Sequence, residues 1–218
     1  MTIPVSAREG YALWAGEWDA SGSPVVALEE RMIAPWIAEL SPRRAIDVGC
    51  GTGRWTERLG AIGVDSSQEM IAVAARKGLR GKLAVADAPA LPLASGSADV
   101  AMCTLTLGHI REWQWAIREL ARVLSPRGRL ILTDFHPEAA SWGWRRTFRH
   151  GGSVYELETY RYTVRDLQAT APELILDNCI EAAFGTPERA VFEAAGRLDL
   201  FEAARGRPAV LATRWTRA

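Results

Sequence analysis

Lysine is nearly absent from this 218-residue chain: Lys77 and Lys82 are the only two, and arginines supply the rest of its 26 basic residues. That bias suits a GC-rich bacterial genome and carries no mechanism. Excess charge is lacking too, because 26 acids balance 26 bases, so there is no broad positive field of the kind nonspecific nucleic-acid binding relies on. A small neutral or mixed-charge partner is expected. No stretch approaches the roughly 20 apolar residues of a membrane span, although 48% of the residues are apolar, which points to a soluble globular chain without a membrane partner. The start, MTIPVSAREGYALWAGEW, has no apolar block behind a basic stretch and does not read as a secretory signal. Cysteines number three, Cys50, Cys103 and Cys179, far apart and without metal-type spacing; free thiols in a reducing, cytoplasmic setting and no metal are expected. Repeats, low-complexity tracts and linkers are missing as well, and the length suits a single domain.

What is present is alternation. Ser23-Pro24 resembles a helix N-cap with proline at the first position, and Val25, Leu28, Met32, Trp36 and Leu40 recur at near-helical spacing, so a helix is expected there, interrupted at Pro35. Short apolar strands near 44–48, 61–64, 82–86, 98–103 and 129–134 then alternate with helices near 53–59, 67–77 and 112–124. In the last of these helices Trp113, Ile117, Leu120 and Leu124 form one stripe, which Ser125-Pro126-Arg127-Gly128 ends with a tight turn. Such alternation predicts a parallel sheet covered on both faces, with ligands at the carboxyl ends of its strands. After Asp134 the pattern changes. Residues 136–152 have no clean period, 153–164 alternate as an exposed strand would, a helix returns near 186–195, and 208–215 read as a final strand.

The stretch AIDVGCGTGRW (45–55) holds glycines at 49, 51 and 53 between a strand and a helix. Glycines there let the backbone approach a ligand closely, with helix N-terminal amides facing it. The dinucleotide fingerprint fails on spacing, since Arg54 stands where G-x-G-x-x-G needs its third glycine, and the shifted frame meets Thr56; an NAD-dependent oxidoreductase is therefore disfavoured. The pattern present, D-x-G-x-G-x-G, resembles that of the class I S-adenosylmethionine-dependent methyltransferases, in particular their small-molecule branch (type 11, similar to the ubiquinone and menaquinone methyltransferases). GVDSSQEMI (63–71) is similar to the family's second motif, VADAPALPLASGSADV (85–100) to its third, and ELARVLSPRGRLILTDFHP (119–137) to its helix, turn and fifth strand. One departure is the 18-residue interval from Asp47 to Asp65, which requires a short helix after Gly53.

The resemblance implies a Rossmann-like, doubly wound, mostly parallel seven-stranded sheet with helices on both faces and a cap inserted after strand five. It divides the domain into an N-terminal helical segment over the cofactor (1–40), a cofactor-binding core (41–135), a cap and acceptor region (136–166) and a tail that completes the sheet (167–218). S-adenosyl-L-methionine is the implied cofactor. Asp65 would receive the ribose hydroxyls, since a carboxylate's two oxygens suit a vicinal diol; Asp87 would take the adenine amino group and the Ala88 amide the ring. Asp47, Gly49, Cys50, Gly51, Ser66, Met70 and Thr104 are carried over to the same site, with Trp14 from the N-terminal segment. Tyr11 and Trp18 of that segment, and Trp142 and Trp144 of the cap, are candidates for the acceptor pocket, joined there by Phe148 and Tyr155. His109 and His136, each just past a strand's carboxyl end, are the candidate general bases, with loop-orienting hydrogen bonds as the other reading. Arg145, Arg146, Arg149 and His150 form a basic run that reads as a solvated face or as a contact for an anionic acceptor.

Methyl transfer from a sulfonium needs alignment above all, so a strong base is required only where the acceptor's reacting atom carries a proton. The segment CTLTLG (103–108) lacks the Asx/Ser-Pro-Pro-aromatic motif with which amino-methyltransferases grip a flipped base, which disfavours nucleic acid. The expected activity is transfer to O, N or C of a small molecule by a monomer or homodimer. The alternative is a cofactor-binding protein of the same fold, a regulatory subunit or a non-methylating catalyst.

Overall fold

The computed structural model describes residues 2–218. The chain opens with β1 (Thr2–Val5), α1 (Ala7–Trp14) and α2 (Pro24–Ala38). Next come β2 (Ala45–Val48), α3 (Arg54–Leu59), β3 (Ile62–Asp65), α4 (Gln68–Ala74), β4 (Leu83–Val85), β5 (Ala98–Thr104), α5 (Trp113–Val123) and β6 (Leu124–Phe135). The remainder holds β7 (Thr147–His150), β8 (Ser153–Leu157), α6 (Val164–Thr170), β9 (Leu174–Ala182), α7 (Thr186–Ala194), α8 (Leu198–Ala204) and β10 (Val210–Arg217).

Seven strands form one sheet in the order β4-β3-β2-β5-β6-β10-β9. The first five run parallel and β10 is antiparallel to both neighbours. Residue alternation divides the core between the two faces. Ala101 and Cys103 of β5, with Leu130 and Leu132 of β6, pack toward Ile117 and Leu120 of α5. Met102 and Ile131, one position on, pack instead with Leu28, Ile33 and Trp36 of α2 and with Phe192 and Phe201 of α7 and α8. Both faces are thus covered, as a parallel sheet requires, and the fold is Rossmann-like and doubly wound. Strand order reverses beside β2, whose neighbours are β3 and β5, so the crevice beyond the carboxyl ends of these strands is the natural ligand site.

A second, three-stranded sheet, β1-β8-β7, stands beside that crevice. β1 pairs parallel with β8, Thr2 opposite Val154, and so carries α1 up to the cavity from the far end of the sequence. α1 begins with a capping box in which Ser6 and Glu9 satisfy each other's backbone amides, and Trp14 on its inner side stacks 4.8 Å from Phe148 of β7.

Several expectations need correction. α2 runs unbroken through Pro35: the proline is exposed, near the helix end, so the carbonyl it leaves unpaired faces water, while Met32, Ile33 and Trp36 clamp the opposite side. The strand expected over 153–164 ends at Leu157, and α6 starts at Val164 with its own capping box from Thr163 and Asp166. Residues 136–152 contain a 3-10 turn (Ala139–Trp142) and β7. β1, β9, α1 and α8 had no sequence signal that set them apart. The helix after Gly53 is short, six residues, as the interval between Asp47 and Asp65 demands.

Candidate active site

The glycine loop joins β2 to α3 with Gly49, Gly51 and Gly53 all at positive φ. Gly49 is the position where only glycine fits. At φ 72° a Cβ there would lie 2.1 Å from Cγ2 of Thr106, and the bare backbone lets its amide and that of Cys50 both reach the carbonyl of Val64. This close approach opens a cavity of about 740 Å³ beyond β2, β3 and β5.

Asp47, Gly49, Cys50, Gly51, Asp65, Ser66, Met70, Asp87, Ala88 and Thr104 all line it, as do Tyr11, Trp18 and His109. Asp47 is buried, with Oδ2 accepting from the Thr56 hydroxyl at 2.8 Å and Oδ1 without any partner. Burial pushes its carboxyl up to about 6, against the pull of the Thr56 hydroxyl. Asp65 accepts the Gly51 amide at Oδ2 and the Ser67 amide at Oδ1, both at 2.8 Å; burial raises its pKa and these amides oppose the rise. Asp87, exposed, pairs with Arg8 of α1 at 2.5 Å. Asp19, in the turn after α1, accepts the Thr52 hydroxyl at 2.7 Å and meets Lys77 at 2.5 Å. The N-terminal segment is therefore fastened to the glycine loop at one end and to Asp87 at the other. Burial lifts the Cys50 thiol far above the ordinary range, which leaves it a packing atom under the loop.

His109 follows β5 and turns Nδ1 to the carbonyl of Glu158 at 3.0 Å. That carbonyl can only accept, so Nδ1 carries the proton and Nε2 the lone pair. The Tyr11 hydroxyl lies 3.0 Å from Nε2, and the guanidinium of Arg146 touches the same nitrogen. Of the basic run that reads as a solvated face or as a contact for an anionic acceptor, Arg146 is neither: its side chain is 7% exposed and ion-paired at 2.8 Å with Asp134, itself buried. The sequence held one signal for that pair, an acid inside the apolar strand LILTDF.

Six candidates lie elsewhere, Phe148 and Tyr155 among them, their rings stacked 5.2 Å apart between β7 and β8. His136 borders a separate cavity of about 200 Å³. Its Nδ1 accepts from the Glu138 amide and its Nε2 is 3.5 Å from Glu181. Trp14 packs between Tyr11, Trp18 and Phe148. Trp142 and Trp144 sit under the cap, with the Trp144 ring 5.4 Å from Phe184 and 6.2 Å from Phe192. Trp144→Ala is expected to cost about 2–4 kcal/mol of stability. Thermal melts would register this as a lower Tm, with S-adenosylhomocysteine affinity unchanged.

A methyltransferase domain family model matches residues 46–132. The demethylmenaquinone methyltransferase of Thermus thermophilus is 36% identical over 167 residues, covering 67% of this chain and 76% of that protein. The chain belongs to the class I S-adenosylmethionine-dependent methyltransferases. A demethylmenaquinone methyltransferase of Deinococcus radiodurans is 32% identical over 111 residues, and there the chain spans 46% of the relative's length. A putative S-adenosylmethionine-dependent methyltransferase from Listeria monocytogenes superposes with a TM-score of 0.69 at 17% identity, over 88% of this chain and 99% of that one, which speaks for the fold alone. The methyltransferase uses S-adenosylmethionine, and the site has a place for it: an unpartnered buried carboxylate oxygen on Asp47 suits the cofactor's ammonium group. Among the described residues no helix is long and apolar enough to cross a membrane.

Proposed function

We propose that the methyltransferase methylates a small, uncharged acceptor at O, N or C, held in the cavity between Tyr11, Trp18 and Leu105. When bound, S-adenosylmethionine supplies an electrophilic methyl on a sulfonium. Asp47 would hold the cofactor's ammonium through Oδ1, Asp65 its ribose diol, and Asp87 with the Ala88 amide its adenine. The observation that carries the reading is buried Asp47, one of its oxygens without a partner, at the lining of a cavity far larger than one loop needs.

The lining also bears on the acceptor's charge. Each arginine in it already has an acid: Arg8 faces Asp87 at 2.5 Å, Arg54 faces Glu29 at 2.6 Å, and Arg111 faces Glu158 at 3.9 Å. An anionic acceptor would find no free counter-charge, whereas a neutral ring would meet Tyr11, Trp18, Val26, Leu105 and Ile110. His109 would orient rather than deprotonate, because its lone pair is already occupied by donors. Alignment in a water-poor pocket then supplies the rate.

The test is release of S-adenosylhomocysteine from a panel of neutral, cationic and anionic acceptors, with demethylmenaquinone, for which the Thermus relative is named, at its head. Turnover of anionic acceptors alone would overturn the charge argument. Asp65→Ala is expected to weaken S-adenosylhomocysteine binding by about 1–3 kcal/mol, the scale for charged hydrogen bonds left unmade. Calorimetry that finds parent affinity in this variant would remove Asp65 from the site.

A further inference from the structure

The guanidinium of Arg146 joins parts of the chain that are far apart in sequence. Nη2 donates to Asp134 Oδ1 at 2.8 Å, while Nη1 donates to the Leu105 carbonyl at 3.1 Å and to Nε2 of His109. The group lies 3.9 Å from the centroid of the Phe135 ring. Asp134 is held in turn, accepting from the Gly108 amide at 2.5 Å, the Tyr162 hydroxyl at 2.8 Å and the Phe135 amide at 2.8 Å. A buried ion pair adds little net stability over an apolar replacement of the same volume. Its retention here asks for another reason.

Leu105 supplies part of it. With φ 52° it is one of two non-glycine residues at positive φ among the described residues, a strained conformation for a side chain of this size. Such a residue persists only where its surroundings over-determine it. The Leu105 amide donates to the Thr133 carbonyl at 2.8 Å and hydroxyl at 3.1 Å, and Arg146 holds its carbonyl. Leu105 lines the large cavity at the carboxyl end of β5, where the wall and the floor meet.

His109 supplies the rest. Arg146 faces its ring from the cap, Tyr11 from α1, and the Glu158 carbonyl from the segment after β8. Asp134, from β6, is in contact with Arg146, and the Glu158 carboxylate turns away toward Tyr160 and Arg111. Burial and then the Arg146 charge hold the imidazole well below its ordinary range, so the ring is neutral with one lone pair at Nε2.

We propose that Arg146 is a positioning residue of the methyl-transfer site: it fixes the Leu105 carbonyl in the cavity floor and orients His109, and through His109 the Tyr11 hydroxyl in the cavity wall. The inference rests on this cavity being where methyl transfer occurs. It makes Arg146, which borders the smaller cavity and not the large one, part of the site.

The test is the paired variant Arg146→Met/Asp134→Asn, which removes both charges and leaves neither buried alone. The C2 protons of the three histidines are followed by NMR against pH, with and without S-adenosylhomocysteine, and assigned through His136→Gln and His150→Gln. In the parent His109 is expected to titrate well below the ordinary imidazole range, held there by burial and then by the Arg146 charge. In the paired variant its midpoint is expected to rise by at least one pH unit, and Arg146→Lys, which keeps the charge, should hold it near the parent's. For the acceptor returned by the screen, kcat of the paired variant should fall at least tenfold while S-adenosylhomocysteine affinity changes less than threefold. An unmoved histidine midpoint, or turnover within threefold of the parent, overturns the proposal even if the Tm drops. Failure of the parent to bind S-adenosylhomocysteine would instead overturn the reading of the cavity, with the histidine titration still decided on the protein alone.

Discussion

Asp47→Asn is expected to weaken S-adenosylhomocysteine binding by about 2–5 kcal/mol at neutral pH, the scale for removing one partner of a buried charge pair. Oδ1 of Asp47 has no protein partner, and an amide in its place would turn either a neutral oxygen or an N–H toward the ligand's ammonium. The same group makes the parent pH-sensitive. Its folded pKa, about 6, is raised above the unfolded value near 3.8. The folded state therefore keeps a proton that the unfolded chain has lost, so this group's contribution to stability is present below about pH 4 and is lost as pH rises to about 6. The loss amounts to roughly 3 kcal/mol at 1.36 kcal/mol per pKa unit, and the asparagine variant should not show it. Affinity runs the other way, weakening about tenfold per unit as pH falls below 6 in the parent, with proton release on binding at pH 5.5. Calorimetry in buffers of different ionisation enthalpy reads both. Affinity within threefold of the parent, together with a flat pH profile, would remove Asp47 from the ammonium site.

Gly49→Ala carries the second large effect, this time on the fold. The new Cβ would lie 2.1–2.7 Å from three side-chain atoms of Thr106, whose hydroxyl is bonded to the Thr104 carbonyl at 2.9 Å. Thr106 is β-branched and next to strained Leu105, so it cannot rotate clear cheaply. The left-handed φ adds about 1–2 kcal/mol and the overpacking about 1–3 kcal/mol. Together these should lower Tm by about 5–15 °C for a chain of this size. Thr106→Ala in the same background relieves the overlap but not the backbone strain, so partial recovery is expected. A single variant melting within about 2 °C of the parent would contradict the geometry of this loop.

The glycine loop and the acids at 47, 65 and 87 could be read from the sequence because each sits at the end of its own strand, where local pattern fixes position. The alternation of apolar strands and helices likewise gave the sheet before any coordinates. Arg146 resisted, since one arginine in the run Arg145, Arg146, Arg149 differs from the others only by what folds over it. Its partner Asp134 is 12 positions away and the His109 it touches is 37 away. Pro35 misled because a proline's cost depends on whether its freed carbonyl is wet, a tertiary fact. Ring size and a place just after the end of the βα alternation point Trp142 and Trp144 to the acceptor pocket, while Phe184 and Phe192, 40 and 48 positions beyond Trp144, claim it as packing.

The parallel pairing of Thr2 with Val154 bears on the order in which the molecule is built. Tyr11 and Trp18, the aromatic wall of the cavity, leave the ribosome early but cannot take up their places until β8 has emerged about 150 positions later. Contacts this remote in sequence close late, after the local βα units have formed. The floor of the cavity, built from local βα units, is therefore expected to form before its wall. Closing the wall over the floor carries a loop-closure cost that grows with the separation of β1 from β8 in the chain.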